Sequence, residues 1–297
     1  MTNYRIDTYK NVNPYSNTWG NTKQEKVYDP VTCPVDYGGF KVEYDTTRAV
    51  YPTIQQVGFH YNTISNVSTA SPSIIEINWG DGQIQTIRRD VATGGSGVYV
   101  YHQYSIAGTY TVTATFNDKI SRISFVTENY LNYGVMMSKF YYFKATSQNF
   151  TGLSNLLLGQ KNLEFDEDAF IETPYCYDYS SSFKCNQSIS NIYDIPTTFL
   201  RNIGNNSTST INLSNMFGDA NFTTNNRFNI NDMFSNFSFE KVYSIMALFG
   251  NMPYITGSGL DLINKITTEK PSISNYLWCF RNSTGLSDYA SIPSDWK

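Results

Sequence analysis

The feature that most constrains this chain is a glycine-rich turn between two stretches of alternating residues, within residues 77–116. The turn is the sequence WGDG at residues 79–82. Glycine adopts backbone angles that a Cβ atom forbids, and Asp81 can accept hydrogen bonds from nearby amides. At 109–116, apolar or aromatic residues alternate with threonines, which is typical of a half-buried strand. The segment therefore predicts strands joined by tight turns.

The same residues resemble the signature of the polycystic-kidney-disease (PKD) domain, an immunoglobulin-like β-sandwich. That signature is a W-x-x-G-D-G-like turn followed by H-x-Y-x-x-x-G-x-Y-x-V. Here the turn is shortened to residues 79–82, and the second half is matched over residues 102–112. The resemblance implies a spacer or interaction module found mostly on cell and virus surfaces, and it implies no chemistry. The structural turn that it implies comprises Trp79, Gly80, Asp81, Gly82, His102, Tyr104, Gly108 and Tyr110.

Residues 38–128 form the predicted sandwich, because they hold about seven short candidate strands with turn signals between them. The candidates are Phe40–Tyr44, Gln56–Tyr61, Ser73–Asn78, Gln83–Arg88, Gly97–Tyr101, Thr109–Phe116 and Ile120–Thr127. We therefore expect a mainly β protein, in which an immunoglobulin-like (PKD) β-sandwich is followed by a second domain.

Composition favours strands and contact surfaces over a helical enzyme. Charged residues make up 15% of the 297, whereas aromatic residues make up 16%, with 24 Tyr and 19 Phe. The formal net charge is −4, and the 21 Lys and Arg residues are scattered, so no basic stripe exists that would neutralise phosphates. Nucleic acid is therefore not expected as a partner.

The first residues, Met1–Asp7, lack the apolar core of a secretory signal, and no stretch of ~18 apolar residues predicts a transmembrane helix. A module of extracellular type in a chain without a leader is what a phage virion component, made in the bacterial cytosol, would show. The alternative is that a signal peptide was removed from the sequence.

The four cysteines form no C-x-x-C pair, and only two histidines accompany them. A zinc site is therefore not expected, and no cofactor is predicted. Cys176 and Cys185 would be able to pair if the protein were exported. Buried, reduced thiols made in a reducing cytosol are the favoured interpretation. The cysteines are Cys33, Cys176, Cys185 and Cys279.

Residues 1–37 are polar and contain three prolines, with aromatic residues that follow neither helical nor two-residue periodicity. We interpret this segment as an extended N-terminal arm that anchors the protein to a partner. A disordered tail and a first strand folded onto the sandwich are the alternatives. The candidate partner contacts are Tyr4, Tyr9, Tyr15, Trp19 and Tyr28.

Residues 129–297 are rich in Asn, Ser and Phe and repeat internally. Segments 179–199 and 276–296 match at a constant offset of 97, with ten like-for-like pairs over 21 positions. Four Met-Phe-x-Asn-like elements recur irregularly, with their Phe residues 17, 15 and 31 positions apart. Repeats of this kind stack to fill a shared core, while asparagines satisfy backbone groups at the turns. The four Phe residues are Phe217, Phe234, Phe249 and Phe280.

This pattern resembles the BspA-type leucine-rich repeats of bacterial and phage surface proteins. In that family, Met-Phe-x-Asn-(Cys)-x-x-Leu and a recurring Ile-Pro-x-x-(Phe/Trp) mark each turn, and IPSDW at residues 292–296 is the clearest match. The resemblance implies a leucine-rich-repeat-like α/β solenoid over residues 129–297. Residues 200–245 match poorly, so the continuity of the solenoid through them is left open.

No catalytic residue, cofactor-binding residue or metal ligand is predicted. His60 and His102 are the only histidines, and the PKD resemblance assigns His102 to structure. No serine or cysteine lies in a recognisable nucleophile context. One acidic cluster would suit a glycosidase or a calcium site, but its apolar flanks favour a solvated turn or a helix start. It comprises Glu164, Asp166, Glu167 and Asp168.

An aromatic group at residues 175–179 is the candidate for surface contact with glycans or proteins, because tyrosines form contacts of low entropic cost and stack on sugar faces. Packing between repeats is at least as good an explanation of the same residues. The group comprises Tyr175, Tyr177 and Tyr179.

Together these features predict a non-enzymatic structural protein of a tailed-phage virion, such as a head fibre, capsid decoration or tail appendage. The combination resembles virion surface proteins of crAss-like and other phages of Bacteroidales. That resemblance implies attachment to capsid or tail proteins through the arm, a homo-oligomer, and contact with host-surface or mucus glycans. The protein would be assembled in the host cytoplasm and displayed on the virion surface.

A bacterial cell-surface adhesin or polysaccharide-binding protein is the alternative, and it predicts an export signal in the gene. A glycoside hydrolase is a third interpretation. It requires Glu164 or Asp166 to face a second carboxylate about 5–10 Å away in a pocket.

Overall fold

The computed structural model describes residues 4–5, 27–28, 37–49, 56–94, 97–125, 136–160, 163–184, 192–193, 195–219 and 228–297. Within these residues the chain is mainly β, with fifteen strands and two short α-helices. The strands are β1 (Tyr4–Arg5), β2 (Val27–Tyr28), β3 (Gly38–Asp45), β4 (Gln56–Thr63), β5 (Ser73–Asn78), β6 (Ile84–Arg89), β7 (Val98–Gln103), β8 (Thr109–Phe116), β9 (Ile120–Ser124), β10 (Met137–Ala145), β11 (Leu163–Glu172), β12 (Ile192–Tyr193), β13 (Leu200–Arg201), β14 (Ile211–Asn212) and β15 (Val242–Ser244). The helices are α1 (Ile230–Met233) and α2 (Gly259–Glu269), and short 3-10 helices occur at Thr46–Arg48, Tyr289–Ser291 and Ser294–Trp296.

The chain divides into two compact units, Met1–Val35 and Asp36–Lys297. In the first unit, β1 and β2 pair antiparallel, with Tyr4 opposite Tyr28. All the other elements belong to the second unit.

Among its described residues, the second unit contains three sheets, of which β14 and β15 form the smallest, and the other two pack face to face. One has the strand order β12-β11-β10-β3-β8-β5-β6, with β13 also paired to β11, and the other has the order β7-β4-β9. Phe40 of β3 meets Phe59 of β4 edge to face, with ring centroids 5.2 Å apart, and Phe125 contacts both rings. The apolar residues of the alternating strand β8, such as Val112 and Phe116, are buried in this core.

The strands predicted between residues 38 and 128 are found within two residues of their expected ends wherever the structure describes those ends. Ser73–Asn78 and Thr109–Phe116 have the predicted bounds, whereas the last strand ends at Ser124, and Thr127 lies outside the described residues. Strand pairing continues across residue 128, because β10 pairs with β3 along most of its length.

From β9 onward, successive turns of the chain form a parallel ladder, which consists of the bridges that join residues 122, 152, 178, 212, 244 and 275 in that order. In each turn, a backbone amide donates to a carbonyl of the next turn. The donors and acceptors are Leu153 to Asp178, Tyr179 to Asn212, Leu213 to Ser244, and Ile245 to Asn275, at 2.8–2.9 Å. These hydrogen bonds align the turns, and they pass through the segment 200–245 that matches poorly in sequence.

Two positions in the turns hold the backbone in the left-handed region. The first left-handed position is occupied by Asn155, Ser181, Asn215, Ala247 and Trp278, with φ between 51° and 61°. The second is occupied by Gly159, Asp219, Asn251 and Asn282. Glycine, asparagine and aspartate adopt this conformation most readily, which explains why the region is rich in asparagine.

One phenylalanine ring from each of four turns fills the core of the ladder. These rings belong to Phe183, Phe217, Phe249 and Phe280. The stack ends on Trp296, whose ring lies 6.3 Å from that of Phe280. The predicted register is wrong at Phe234, because this residue caps α1 and meets Phe249 nearly at right angles. The repeat interval of the stacked rings is therefore 34, 32 and 31 residues.

Helix α2 is held at its N-terminus by two residues from different parts of the chain. Ser258 is the N-cap, and its Oγ accepts from the Asp261 amide at 3.0 Å. Asp288 accepts from the amides of Gly259 and Leu260 at 2.8 and 3.0 Å, so the first amides of the helix have partners. Among the described residues, no helix has the length and apolar character needed to cross a bilayer.

Candidate functional site

The residues of the predicted PKD-like turn come together around Trp79, which directly follows β5. Its buried indole stacks on the imidazole of His102 in β7, with ring centroids 4.8 Å apart. His102 Nε2 lies 2.8 Å from Asp81 Oδ2, and Asp81 Oδ1 accepts from the Gln83 amide at 3.0 Å. The imidazole is therefore fixed by an indole on one face and a carboxylate at its edge.

Two tyrosines complete this cluster. The Tyr104 hydroxyl donates to Trp79 O at 2.6 Å, and its ring stacks on that of Tyr110 with centroids 3.8 Å apart. Burial raises the pKa of Tyr104 above its usual range, and the charge of Asp81 raises it further, so the hydroxyl stays a donor. Gly80 has φ +84°, and a Cβ there would lie 2.5 Å from a backbone oxygen of β8, so the turn requires glycine.

The pKa of the Asp81 carboxyl reflects opposing effects. Partial burial alone would raise it, but hydrogen bonds with His102 and from the Gln83 amide lower it below the ordinary value. Asp81 is therefore ionised near neutral pH and accepts from both partners. Catalytic triads contain a similar His–carboxylate pair, but here both side chains are largely covered, at 10% and 16% exposure, and the carboxylate also binds the turn.

The two other glycines of the predicted signature also lie in turns. Gly82, at φ +89°, belongs to the same turn as Asp81, and the Gly108 amide donates to a threonine hydroxyl at 3.0 Å.

The acidic cluster lies in strand β11, so the expectation of a solvated turn or helix start is wrong. Phe165 and Phe170 are five residues apart in β11, but they pair with residues that are only two apart in β10. The acidic residues between them therefore protrude as a bulge. Asp166 Oδ2 forms an ion pair with Lys139 Nζ at 2.9 Å, which lowers the pKa of Asp166 and raises that of Lys139. The exposed members are Glu164, Glu167 and Asp168. In the described part of the chain, no group of three or more His, Cys, Asp or Glu residues is placed to hold a metal ion.

The three predicted surface tyrosines differ in exposure. Tyr177 is 36% exposed and Tyr175 is half-buried, whereas Tyr179 is fully buried. Tyr179 occupies the ladder position of Leu213, and its hydroxyl donates to Thr173 O at 2.9 Å. The prediction of Tyr179 as a surface contact is therefore wrong, because this position faces the core in the first four turns.

The predicted arm contacts lie mostly outside the described residues. Tyr9, Tyr15 and Trp19 fall outside them, while Tyr4 and Tyr28 are opposite each other in β1 and β2. The partner-binding role of the arm therefore stays a prediction.

Cys176 and Cys279 are buried free thiols, and Cys33 and Cys185 lie outside the described residues. The Cys176 thiol donates to Thr151 O at 3.3 Å, and burial raises its pKa to about 12. Burial also raises the pKa of Cys279 well above its ordinary value. Both groups are therefore protonated and unreactive in the folded protein.

A groove of about 560 Å³ lies between the loop at residues 197–202 and the end of α1. Hydroxyl, amide and charged side chains line it, including Arg201 and Asp232. Arg201 packs on the ring of Phe170 at 4.6 Å, and its Nε donates to Thr198 O at 3.3 Å. Such a lining suits a polar ligand. Sequence patterns do not reveal this groove, because its two sides come from different turns of the ladder.

Large exposed side chains lie on the last two turns of the ladder. Tyr243 is 45% exposed, Leu277 is 48% exposed and Trp278 is 49% exposed. Trp278 occupies the first left-handed position, and the guanidinium carbon of Arg281 lies 5.7 Å from its ring centroid. The sequence signal for this surface is a tryptophan where the other turns have small or polar residues, and it becomes visible only when hydrogen bonds align the turns.

No protein-family model, curated protein or solved structure matches this chain.

Proposed function

We propose that the chain is a non-enzymatic structural protein of a tailed-phage virion, displayed as a head fibre, capsid decoration or tail appendage. In this proposal, residues 38–128 are an immunoglobulin-like (PKD) β-sandwich and residues 129–297 are a leucine-rich-repeat-like solenoid. Residues 1–37 attach the protein to capsid or tail proteins. The observation that carries the proposal is the parallel ladder, which leads from Arg122 in β9 to Asn275 and so joins the two parts in one backbone frame.

The cluster around Trp79 supports the PKD part. The turn, histidine and tyrosine positions of that family fall together, with His102 bound to Asp81 and Tyr104 bound to Trp79. Two sheets that pack face to face are also what an immunoglobulin-like fold requires. The polar groups of this cluster bond mainly to one another. The cluster therefore supports a structural role in a displayed module.

The ladder supports the repeat part. Its stacked phenylalanines recur at intervals of 31 to 34 residues, and its left-handed positions recur with them. Stacked repeats bury a continuous core and present equivalent outer positions at regular steps. Such a frame suits the rigid presentation of a contact surface at a distance from the point of attachment.

The buried thiols support assembly in a bacterial cytoplasm. Cys176 and Cys279 are free, as is usual for proteins that fold in a reducing compartment. This favours a virion component over an exported adhesin. A homo-oligomer, and contact with host-surface or mucus glycans, belong to the same proposal.

Fractionation of a culture that produces the protein tests the proposal. Released particles, cell envelope and cytosol are separated, and the protein is quantified by mass spectrometry against capsid proteins. We expect it to co-purify with capsid proteins in a constant ratio, and deletion of residues 1–37 should move the protein from the particles to the cytosol. Recovery in the envelope alone would contradict the proposal and favour the adhesin.

A further inference from the structure

Trp278 departs from the residues that occupy the same position in the other turns. The first left-handed position holds Asn155, Ser181, Asn215 and Ala247, which are all small or polar, but it holds a bulky aromatic residue in the last turn. A bulky side chain at φ 60° is a conformational outlier, because its Cβ crowds the backbone. Strain of this kind persists where the surrounding structure imposes it, and it is concentrated at sites that contact ligands.

Backbone hydrogen bonds hold this turn independently of the indole. Ala247 N–H donates to Leu277 O at 3.0 Å. Arg281 N–H donates to Trp278 O at 3.1 Å. The side chain of Trp278 is 49% exposed, so about half of the indole stays in contact with solvent. A strained, half-exposed ring on a turn that backbone hydrogen bonds hold indicates a contact with another molecule.

The surroundings of the ring indicate the chemistry of that contact. The Arg281 guanidinium lies 5.7 Å from the indole centroid, and none of the ion pairs among the described residues involves it. Leu277, the preceding residue, is 48% exposed, and Tyr243 lies on the adjacent turn. The apolar face of a pyranose ring packs on an aromatic ring, and a guanidinium binds a carboxylate through two parallel hydrogen bonds.

We infer that Trp278 and Arg281 form a binding site for a carboxylated sugar, such as a uronic or sialic acid residue of a glycan. The sugar packs on the exposed part of the indole, and Arg281, whose guanidinium lies over the ring, pairs with the carboxylate. This inference rests on the proposed function, since it names the ligand class and the place of the glycan contact. Uronic and sialic acids share the recognised chemistry, and separate probes distinguish them.

Isothermal titration calorimetry of the full chain tests the site, with sialyllactose, tetragalacturonate and neutral lactose as probes. We expect binding of at least one acidic probe and weaker binding of lactose. Trp278→Asn should lower the affinity for the preferred acidic probe by about tenfold or more, since the stacking surface is lost. The same variant should raise the Tm, because asparagine tolerates the left-handed backbone.

Three further variants test the role of Arg281 and provide controls. Arg281→Gln should lower the affinity for the acidic probe about fivefold and leave lactose binding unchanged, because it removes the charge and the paired N–H donors of the guanidinium while the indole stays in place. Ala247→Asn changes the same position one turn earlier, so it should raise the Tm without altering affinity. Tyr254→Ser removes another exposed aromatic residue, 44% exposed, and should leave binding intact.

Failure of both acidic probes to bind at millimolar concentration would overturn the inference. Equal affinity for lactose, or unchanged affinity in Trp278→Asn, would also overturn it. Trp278→Phe keeps an aromatic ring and should retain most of the binding. Unfolding of Trp278→Asn would show that the indole, and not the backbone frame, holds the turn, which would contradict the inference. None of these results alters the recovery of the protein in particles, so this inference and the virion proposal can fail separately.

Discussion

Phe183 and Phe280 lie 97 residues apart in the chain and occupy the same position in two turns of one parallel ladder. Phe217 and Phe249 lie between them, and successive ring centroids are separated by 5.2, 6.0 and 5.7 Å. Each interior ring is fully buried and packs on a neighbour at both faces. Loss of one ring therefore affects the turns on both sides of it.

Phe217→Ala is expected to lower the free energy of unfolding by about 3–5 kcal/mol. The substitution removes apolar side-chain surface that is buried on folding. It also leaves a cavity between Phe183 and Phe249, which the rigid ladder cannot close. Chemical denaturation followed by circular dichroism measures the loss. The matched control is Tyr254→Ala, at an exposed aromatic residue, which should change the same free energy by less than about 0.5 kcal/mol. A loss in Phe217→Ala no larger than in the control would contradict the stacked core.

Asp81→Asn should destabilise the protein by about 1–3 kcal/mol at neutral pH, because the ionised carboxylate accepts hydrogen bonds from His102 and Gln83. The pKa of Asp81 is lowered in the folded protein. Its contribution is therefore complete above the ordinary carboxyl value of 3.8 and is lost as the pH falls through the folded pKa. Denaturation at a series of pH values should show the native protein and the variant converging in acid.

Glu76→Gln provides the control for this titration, because Glu76 is an exposed carboxylate on the neighbouring strand β5. The variant should change the free energy of unfolding by less than about 0.5 kcal/mol. If the difference between Asp81→Asn and the native protein stays constant into strong acid, the carboxylate is not the source of the stabilisation.

Asp288→Ala should weaken the start of helix α2 and destabilise the protein by about 1–3 kcal/mol. Asp288 accepts from the Ser258 hydroxyl at 2.6 Å and from the amides of Gly259 and Leu260. Burial alone would raise its pKa, but these bonds lower it, so the stabilisation is present at neutral pH and lost in acid. Hydrogen exchange at the two amides should accelerate in the variant. Asp261→Asn, which alters a charge in the first turn of the helix without removing these bonds, should cost only about 0.5 kcal/mol.

The thiols of Cys176 and Cys279 should resist Ellman's reagent in the folded protein and react fully in denaturant. Both are buried, and burial raises the pKa of each, so little thiolate is present near pH 8. The measurement uses a Cys33→Ser, Cys185→Ser background, so that only these two thiols report. Rapid labelling of the folded protein would show that the ladder opens at these turns.

The turn at residues 79–82 and the strand at 109–116 were predictable because their signals are local. Glycine at Gly80 and the two-residue alternation of Thr109–Phe116 each specify backbone geometry within a few residues. The offset of 97 also identified equivalent turns, since Phe183 and Phe280 occupy the same fully buried position. Tyr179 is buried, and its counterpart Tyr276 is partly buried against the same core.

Other features depend on contacts between residues about one turn of the ladder apart. Tyr179 faces the core, and the acidic residues of β11 bulge from a strand, because hydrogen bonds with neighbouring segments set their register. The same alignment places Trp278 where Asn215 lies two turns earlier. The sequence by itself thus determined the β character, the glycine turn and the existence of repeats. These features follow from local backbone preferences and from the spacing of apolar residues along the chain. Only the tertiary structure decided which side chains face the core and which face solvent, because that choice is made by pairing between distant segments.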